Sequence, residues 1–88
     1  MNVSFKASFA RDLQKIANAN ILKRIQMVIE QVEQAQDLQS VDNLKKLKIG
    51  NVYYRIRVGS YRIGLLIEDN LVTFVRCLHR KDFYRYFP

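Results

Sequence analysis

The sequence contains a single cysteine, Cys77, and a single histidine, His79. One cysteine excludes an internal disulfide and any metal site that needs two thiolates, and we expect Cys77 to be a small buried side chain. One histidine with scattered carboxylates does not make a metal site, so we expect no metal ion and no other cofactor. A glycine-rich phosphate-binding loop and a Ser/His/Asp set are also missing. A metal-independent reaction on a phosphodiester is still compatible with this composition.

Long apolar runs are missing as well. None approaches the ~18 residues that a membrane-spanning helix needs, and no hydrophobic segment follows Lys6 near the N-terminus. We therefore expect no membrane association, no signal peptide and a cytoplasmic protein. The 88 residues, 49% of them hydrophobic, predict one globular domain over residues 1–88.

The acidic residues are few in the second half of the chain. Residues 1–44 carry five basic and five acidic side chains, whereas residues 45–88 carry ten basic and three acidic ones. The whole net charge of +7 therefore lies in the second half. An even distribution would indicate solubility alone, but this asymmetry favours a polyanionic partner, either nucleic acid or an acidic protein.

The hydrophobic periodicity predicts an α+β fold with one sheet. The expected elements are a strand at 2–7, helices at about 9–17 and 21–37, and strands at 52–58, 61–67 and 71–78. Ser8 and Asn20 are the expected helix N-caps. The helices would form a hairpin over the sheet, the last three strands an antiparallel meander, residues 38–50 a loop, and the last ten residues a short helix or tail.

Strand alternation gathers arginines on one side of the meander. It directs Arg55 and Arg57 to the sheet face opposite the apolar residues, and Arg62 of the next strand to the same face. Three neighbouring guanidiniums repel one another, and their planar forks match phosphate oxygens, so they indicate an anion site. A solvated sheet face that carries long polar side chains is the equally weighted alternative.

The C-terminal run adds further candidates next to this face. His79, Arg80, Lys81, Tyr84 and Tyr86 follow the last strand at once. Lys81 adds positive charge for RNA, and the tyrosines are suited to stacking on bases. The structural alternative is a tail whose aromatic residues only dock on the core.

Two stretches, Tyr54–Ile63 and His79–Tyr84, resemble the RelE/ParE superfamily of bacterial toxins, and the length and element order agree. The resemblance implies that Arg55 and Arg57 match two basic positions of RelE toxins on the first meander strand. Arg62, Arg80, Tyr84 and, in some relatives, His79 match catalytic positions. RelE toxins cleave messenger RNA without a metal, typically on the ribosome, whereas ParE toxins poison DNA gyrase and generally lack the nuclease residues.

One departure from the RelE pattern bears on the mechanism. Well-known RelE toxins have lysines where this chain has Arg55 and Arg57, and arginine does not lose its proton in proteins. Proton transfer would therefore fall to His79 or Tyr84. The sequence predicts a ribonuclease toxin that uses the RNA 2′-hydroxyl as its nucleophile and is silenced by an acidic antitoxin. The alternatives are a gyrase poison of the ParE kind and an inactive member that only binds its antitoxin.

Overall fold

The computed structural model describes all 88 residues and confirms the α+β class. In chain order, the elements are β1 (Asn2–Phe5), α1 (Ala7–Gln14), α2 (Ala19–Gln34), a 3-10 helix (Leu38–Ser40), β2 (Leu44–Lys46), β3 (Tyr53–Val58), β4 (Tyr61–Glu68), β5 (Leu71–His79) and α3 (Arg80–Tyr86). The expected short C-terminal helix is thus present. It begins at Arg80, because His79 still belongs to β5.

The five strands form one mixed sheet in the order β1-β5-β4-β3-β2. The predicted antiparallel meander of β3, β4 and β5 is confirmed, while β1 pairs with β5 in parallel and β2 pairs antiparallel with β3. The expectation of a plain loop over residues 38–50 is wrong, because this segment contains the 3-10 helix and β2. A strand of three residues is too short to show a recognisable alternation of apolar and polar side chains.

Both helices begin and end earlier than the hydrophobic pattern predicts, and neither expected N-cap is correct. The Oδ1 atom of Asn18, not Asn20, caps α2 by accepting hydrogen bonds from the backbone N–H groups of Asn20 (2.9 Å) and Ile21 (3.1 Å). The hydroxyl of Ser8 instead donates a hydrogen bond to the Val75 carbonyl at 2.6 Å. Ser8 therefore satisfies the exposed edge of β5, which a sequence pattern does not reveal.

The main core lies between one face of the sheet and helices α1 and α2. It contains 13 buried residues, among them Phe9, Ile25, Ile56, Ile63, Phe74 and, as expected, Cys77. Burial raises the pKa of the Cys77 thiol to about 12, and nearby Asp12 adds to this effect. The thiol is therefore a neutral core group and takes no part in chemistry at neutral pH.

Helix α3 packs on the opposite face of the sheet. Its Phe83 and the following Phe87 are buried, and the ring of Phe87 lies against Gly64 and, edge-on, against Tyr53. A Cβ atom at Gly64 would lie 2.7 Å from the Phe87 ring, so a residue without a side chain is needed at this point of β4. The face expected to be open is therefore partly covered. At its arginine-bearing end, Arg57 and Arg80 are exposed, whereas Arg55 and Arg62 are half-buried.

A buried carboxylate, which the sequence analysis did not identify, joins α1 to β5. Asp12 is 5% exposed and accepts hydrogen bonds from the backbone N–H of Cys77 at 2.9 Å and from Arg76 Nε and Nη2 at 2.8 and 3.2 Å. The hydrogen bond that Arg76 donates to Asp12 raises the pKa of Arg76 against the effect of burial. Ser8 and Asp12 together complete the β5 edge beyond the end of β1.

Candidate active site

Three arginines meet on the sheet face that α1 and α2 do not cover. Arg57 of β3 is paired directly with Arg62 of β4, and Arg55 lies opposite Gly64, further along the same pair of strands. Directly paired side chains have Cβ atoms about 4.5–5.5 Å apart, and like charges at that distance destabilise a sheet. Fold stability therefore does not explain the arrangement, whereas an anionic ligand does.

Arg62 lies at the centre of this group. Its Nη1 atom donates hydrogen bonds to the carbonyls of Gly59 and Tyr61, both at 2.9 Å, so backbone oxygens alone hold the guanidinium. Partial burial and then the charge of Arg55 lower the pKa of Arg62. The charges of Arg57 and Arg80 also lower the pKa of Arg62, whereas Tyr84 raises it. We call Arg55, Arg57, Arg62, Arg80 and Tyr84 the arginine cluster.

Helix α3 supplies two members of the arginine cluster. It starts directly after β5, and the backbone N–H of Arg80 donates to the Ser60 carbonyl at 2.8 Å, which fixes the start of the helix beside the β3–β4 turn. Phe83 is completely buried, and its ring meets that of Tyr84 edge-on at 5.0 Å between centroids. Tyr84 is nevertheless 62% exposed, so its hydroxyl is accessible to a ligand.

One predicted site residue, His79, lies apart from the arginine cluster. The ring of His79 meets Tyr61 edge-on on the α1 side of the sheet, and its Nδ1 atom accepts a hydrogen bond from the Lys81 backbone N–H at 3.1 Å. His79 lines a separate cleft with Asp12 and Tyr86. Lys81 is exposed and has no carboxylate within 4.0 Å. The expectation that His79 lies near the arginine face is not met, because it ends β5 with its side chain on the opposite side from Arg62.

Asn43 is a site residue that sequence reasoning missed. Its backbone adopts the left-handed conformation (φ 63°), which asparagine tolerates better than most residues. In this conformation its carbonyl accepts from Arg55 Nη1 at 3.1 Å and its side-chain oxygen accepts from Arg57 Nη2 at 3.5 Å. Asn43 therefore orients two arginines of the cluster. An isolated asparagine in a connecting segment gave no signal for this role.

The cluster has no counter-ions of its own. The pair Arg76–Asp12 is the only ion pair in the chain, so no carboxylate lies within 4.0 Å of any other lysine or arginine. Such a surface can bind phosphate oxygens and stabilise the negative charge that grows on them in a reaction. No group of three or more His, Cys, Asp or Glu side chains is placed to hold a metal ion. None of the helices has the length and apolar character needed to cross a membrane.

Comparisons with known proteins agree with this geometry. Residues 3–84 match the family described as the ParE toxin of the type II toxin-antitoxin system parDE. The chain is 42% identical to Toxin RelE3 of Methanocaldococcus jannaschii over 89 aligned residues, which cover 100% of both proteins.

Solved structures extend the comparison. The structure of a RelB-RelE antitoxin-toxin complex from Methanococcus jannaschii matches with a TM-score of 0.83 and 40% identity, covering 97% of this chain and 99% of the matched chain. The RelBE2 toxin-antitoxin complex of Mycobacterium tuberculosis matches with a TM-score of 0.65 and 27% identity over 90% of this chain and 96% of the matched chain. The chain therefore belongs to the ParE toxin family of type II toxin-antitoxin systems, within the RelE/ParE superfamily.

Proposed function

We propose that this toxin is a RelE-type endoribonuclease that cuts messenger RNA on the ribosome and so stops translation. The arginine cluster is the observation that carries the proposal, since a protein that only binds a partner does not need cations and an accessible tyrosine hydroxyl around one point. Identity of 42% over its full length to a protein named as a RelE toxin supports the same conclusion. We further propose that residues 1–88 act as one toxin domain in the cytoplasm.

The proposed reaction is a transesterification within the RNA. The 2′-hydroxyl attacks the adjacent phosphorus while the bond from phosphorus to the 5′-oxygen breaks, which leaves a 2′,3′-cyclic phosphate and a free 5′-hydroxyl. Arg62 and Arg80 would stabilise the phosphorane oxygens, and Arg55, Arg57 and Lys81 would hold the RNA backbone. No metal takes part in this scheme, because the chain offers no set of ligands for one.

The reaction requires one proton to leave the 2′-hydroxyl and another to reach the 5′-oxygen. Arginine cannot supply either transfer, so Tyr84 and His79 are the candidates. Tyr84 is the stronger one, because its exposed hydroxyl belongs to the arginine cluster, whereas His79 faces Tyr61. We expect Tyr84→Phe to lower the cleavage rate by ~100-fold or more without weakening RNA binding. The matched change His79→Gln should have a smaller effect, and the reverse order would transfer the role to His79.

A gyrase poison of the ParE kind is the second candidate, and the family description favours it. Induction of the toxin in bacteria separates the two. Cleavage within translated messenger RNA, with 5′-hydroxyl and cyclic phosphate ends and with intact DNA, is the expected result. Growth arrest with intact messenger RNA and accumulated DNA breaks would replace the ribonuclease proposal. Arg62→Ala serves as the control, because it should abolish cleavage while the protein still accumulates in folded form.

The proposed partner is a small acidic antitoxin. The matched chain from Methanococcus jannaschii comes from an antitoxin-toxin complex. This toxin has a net charge of +7 and a single internal ion pair, so most of its lysines and arginines are free to bind an acidic segment. Such a segment would cover the arginine cluster or displace α3, and Tyr84 would then be removed from the site. Association should slow as salt rises, because charge attraction is screened beyond ~8 Å at physiological ionic strength. Rates indifferent to salt would refute neutralisation as the means of inhibition.

A further inference from the structure

A cleft of about 320 Å³ lies between α2 and the end of β3, next to the arginine cluster. Met27 and Val28 give it an accessible apolar wall, and Arg24 and Arg57 line it with positive charge. Ligand pockets have volumes on the order of 300–1,000 Å³, so this cleft has room for one nucleotide. Arg57 belongs to both the cleft and the cluster, so the two sites are continuous.

The guanidinium of Arg24 reaches the β3–β4 turn from the helix side. A Cβ atom at Gly59 would lie 2.9 Å from Arg24 Nη1, so the absence of a side chain at Gly59 allows this approach. The Gly59 carbonyl accepts the hydrogen bond from Arg62 Nη1 on the other side of the turn. Arg24 therefore extends the cationic surface around the turn, although the first half of the chain is neutral in sum.

The other polar groups of the cleft suit the edge of a base. Gln31 Nε2 donates to Asp42 Oδ2 at 3.2 Å, which leaves the Gln31 carbonyl oxygen and the second Asp42 oxygen as free acceptors. Neither oxygen suits a phosphate, but both can accept from the N–H groups of a base. Arg24 and Arg57 have no carboxylate within 4.0 Å and are free to bind a phosphate. The cleft thus combines hydrogen-bond donors for a phosphate, an apolar surface for a base, and hydrogen-bond acceptors for the edge of that base.

We propose that this cleft is a nucleotide subsite that holds a residue of the RNA next to the cleaved bond. One phosphate lies between Arg24 and Arg57, and the base rests on Met27 and Val28 with its edge towards Gln31 and Asp42. This inference deepens the proposed ribonuclease function and rests on it. It assigns a binding role to Arg24, which lies on α2, outside the sheet face that carries the arginine cluster.

The test compares Arg24→Ala with Lys23→Ala, its matched control. Both residues are exposed on α2, neither has an ion-pair partner, and each substitution removes one charge, but only Arg24 lines the cleft. The probe is an RNA oligonucleotide whose 2′-hydroxyls are methylated so that it cannot be cut. Fluorescence anisotropy measures its affinity across a range of salt concentrations. Cleavage of unmodified messenger RNA bound to ribosomes is measured in parallel.

We expect Arg24→Ala to weaken binding roughly five- to tenfold and to reduce the slope of log affinity against log salt by about 0.7, the value for one phosphate contact on a single strand. Arg24→Lys should recover most of the slope, and Lys23→Ala should stay within about twofold of the wild type. Equal binding by Arg24→Ala and Lys23→Ala would overturn the subsite, as expected if the cleft instead receives a protein. Failure of the wild type to cut messenger RNA on the ribosome would overturn the ribonuclease proposal. A selective loss of oligonucleotide binding in Arg24→Ala would in that case still support the cleft as a site for RNA.

Discussion

Arg62→Ala should separate the proposed reaction from stability, because the contact proposed for this side chain with the phosphorane differs from the contacts that hold it in the fold. Its two hydrogen bonds to backbone carbonyls are both 2.9 Å long and partly exposed, and at such a site they contribute about 0.5 kcal/mol each. Partial burial of the guanidinium and then its repulsion with Arg55, Arg57 and Arg80 lower the pKa of Arg62, and the substitution removes both unfavourable effects. These effects have opposite signs, so the free energy of unfolding should change by less than about 1 kcal/mol.

The effect on the reaction should be much larger. Removal of one donor to a charged transition state lowers the rate by about 10²–10³, or roughly 3–4 kcal/mol. Arg62→Lys keeps the charge but not the planar fork, so its rate should fall between those of the wild type and Arg62→Ala. Single-turnover cleavage measures the rate, and thermal unfolding followed by circular dichroism measures stability. A change of 1 kcal/mol corresponds to a shift in Tm of about 4–8 °C in a domain of this size.

Arg85→Ala is the matched control. Arg85 is an exposed cation on α3 and is not among the charges that alter the pKa of Arg62. Its removal should leave the rate within about twofold and the Tm within about 2 °C. Retention of more than about a tenth of the activity by Arg62→Ala would refute its role at the phosphorane. An unfolded Arg62→Ala protein would refute the argument that folding gains little from this side chain.

Four further outcomes follow from the structure. Asp12→Ala leaves the buried Cys77 N–H without its acceptor and breaks an ion pair whose arginine is partly exposed, so it should destabilise the fold by about 2–3 kcal/mol in chemical denaturation. Burial raises the pKa of the Cys77 thiol from the ordinary 9.0 to about 12. The contribution of this group to the free energy of unfolding is therefore complete below about pH 9 and is lost as the pH rises to about 12. Near neutral pH, the rate at which Cys77 is alkylated should follow the rate of global unfolding. Gly64→Ala introduces a Cβ atom 2.7 Å from a buried aromatic ring and should cost on the order of 1–3 kcal/mol, measured by thermal unfolding. Asn43→Gly permits the positive φ and keeps the carbonyl that holds Arg55, so RNA affinity should fall by less than threefold, whereas Asn43→Val strains the backbone and should weaken binding further.

The arginine face could be predicted from local pattern alone. Side chains of a strand alternate between two faces, so the order Arg55, Ile56, Arg57 dictates that both arginines lie together once the segment is extended. A tight turn at Gly59 then pairs Arg57 with Arg62. The same local rules predicted the meander and a second helix at about 21–37, most of which the structure has as α2, because the apolar spacing differs clearly between strand and helix.

Those local rules do not predict contacts between residues that are distant in the sequence. The hydrogen bond from Ser8 to Val75 and the three that Asp12 accepts join residues more than sixty positions apart, and nothing near Ser8 or Asp12 in the chain indicates these partners. A polar residue on an amphipathic helix is ordinarily solvated, so the burial of Asp12 follows only from where α1 meets the edge of β5. The parallel pairing of β1 with β5 is of the same kind.

Some features of the candidate site follow from the local sequence, and others follow from long-range packing. Residue types, charge and strand register follow from the order of amino acids, since they depend on neighbours within a few positions. The direction of His79, the hold of Asn43 on two arginines and the approach of Arg24 to Gly59 depend on how separate elements pack. Packing is set by the shapes of surfaces that meet only in the folded chain. The residue types and charges of the candidate site therefore followed from the sequence, whereas the arrangement of its side chains was decided by the tertiary structure.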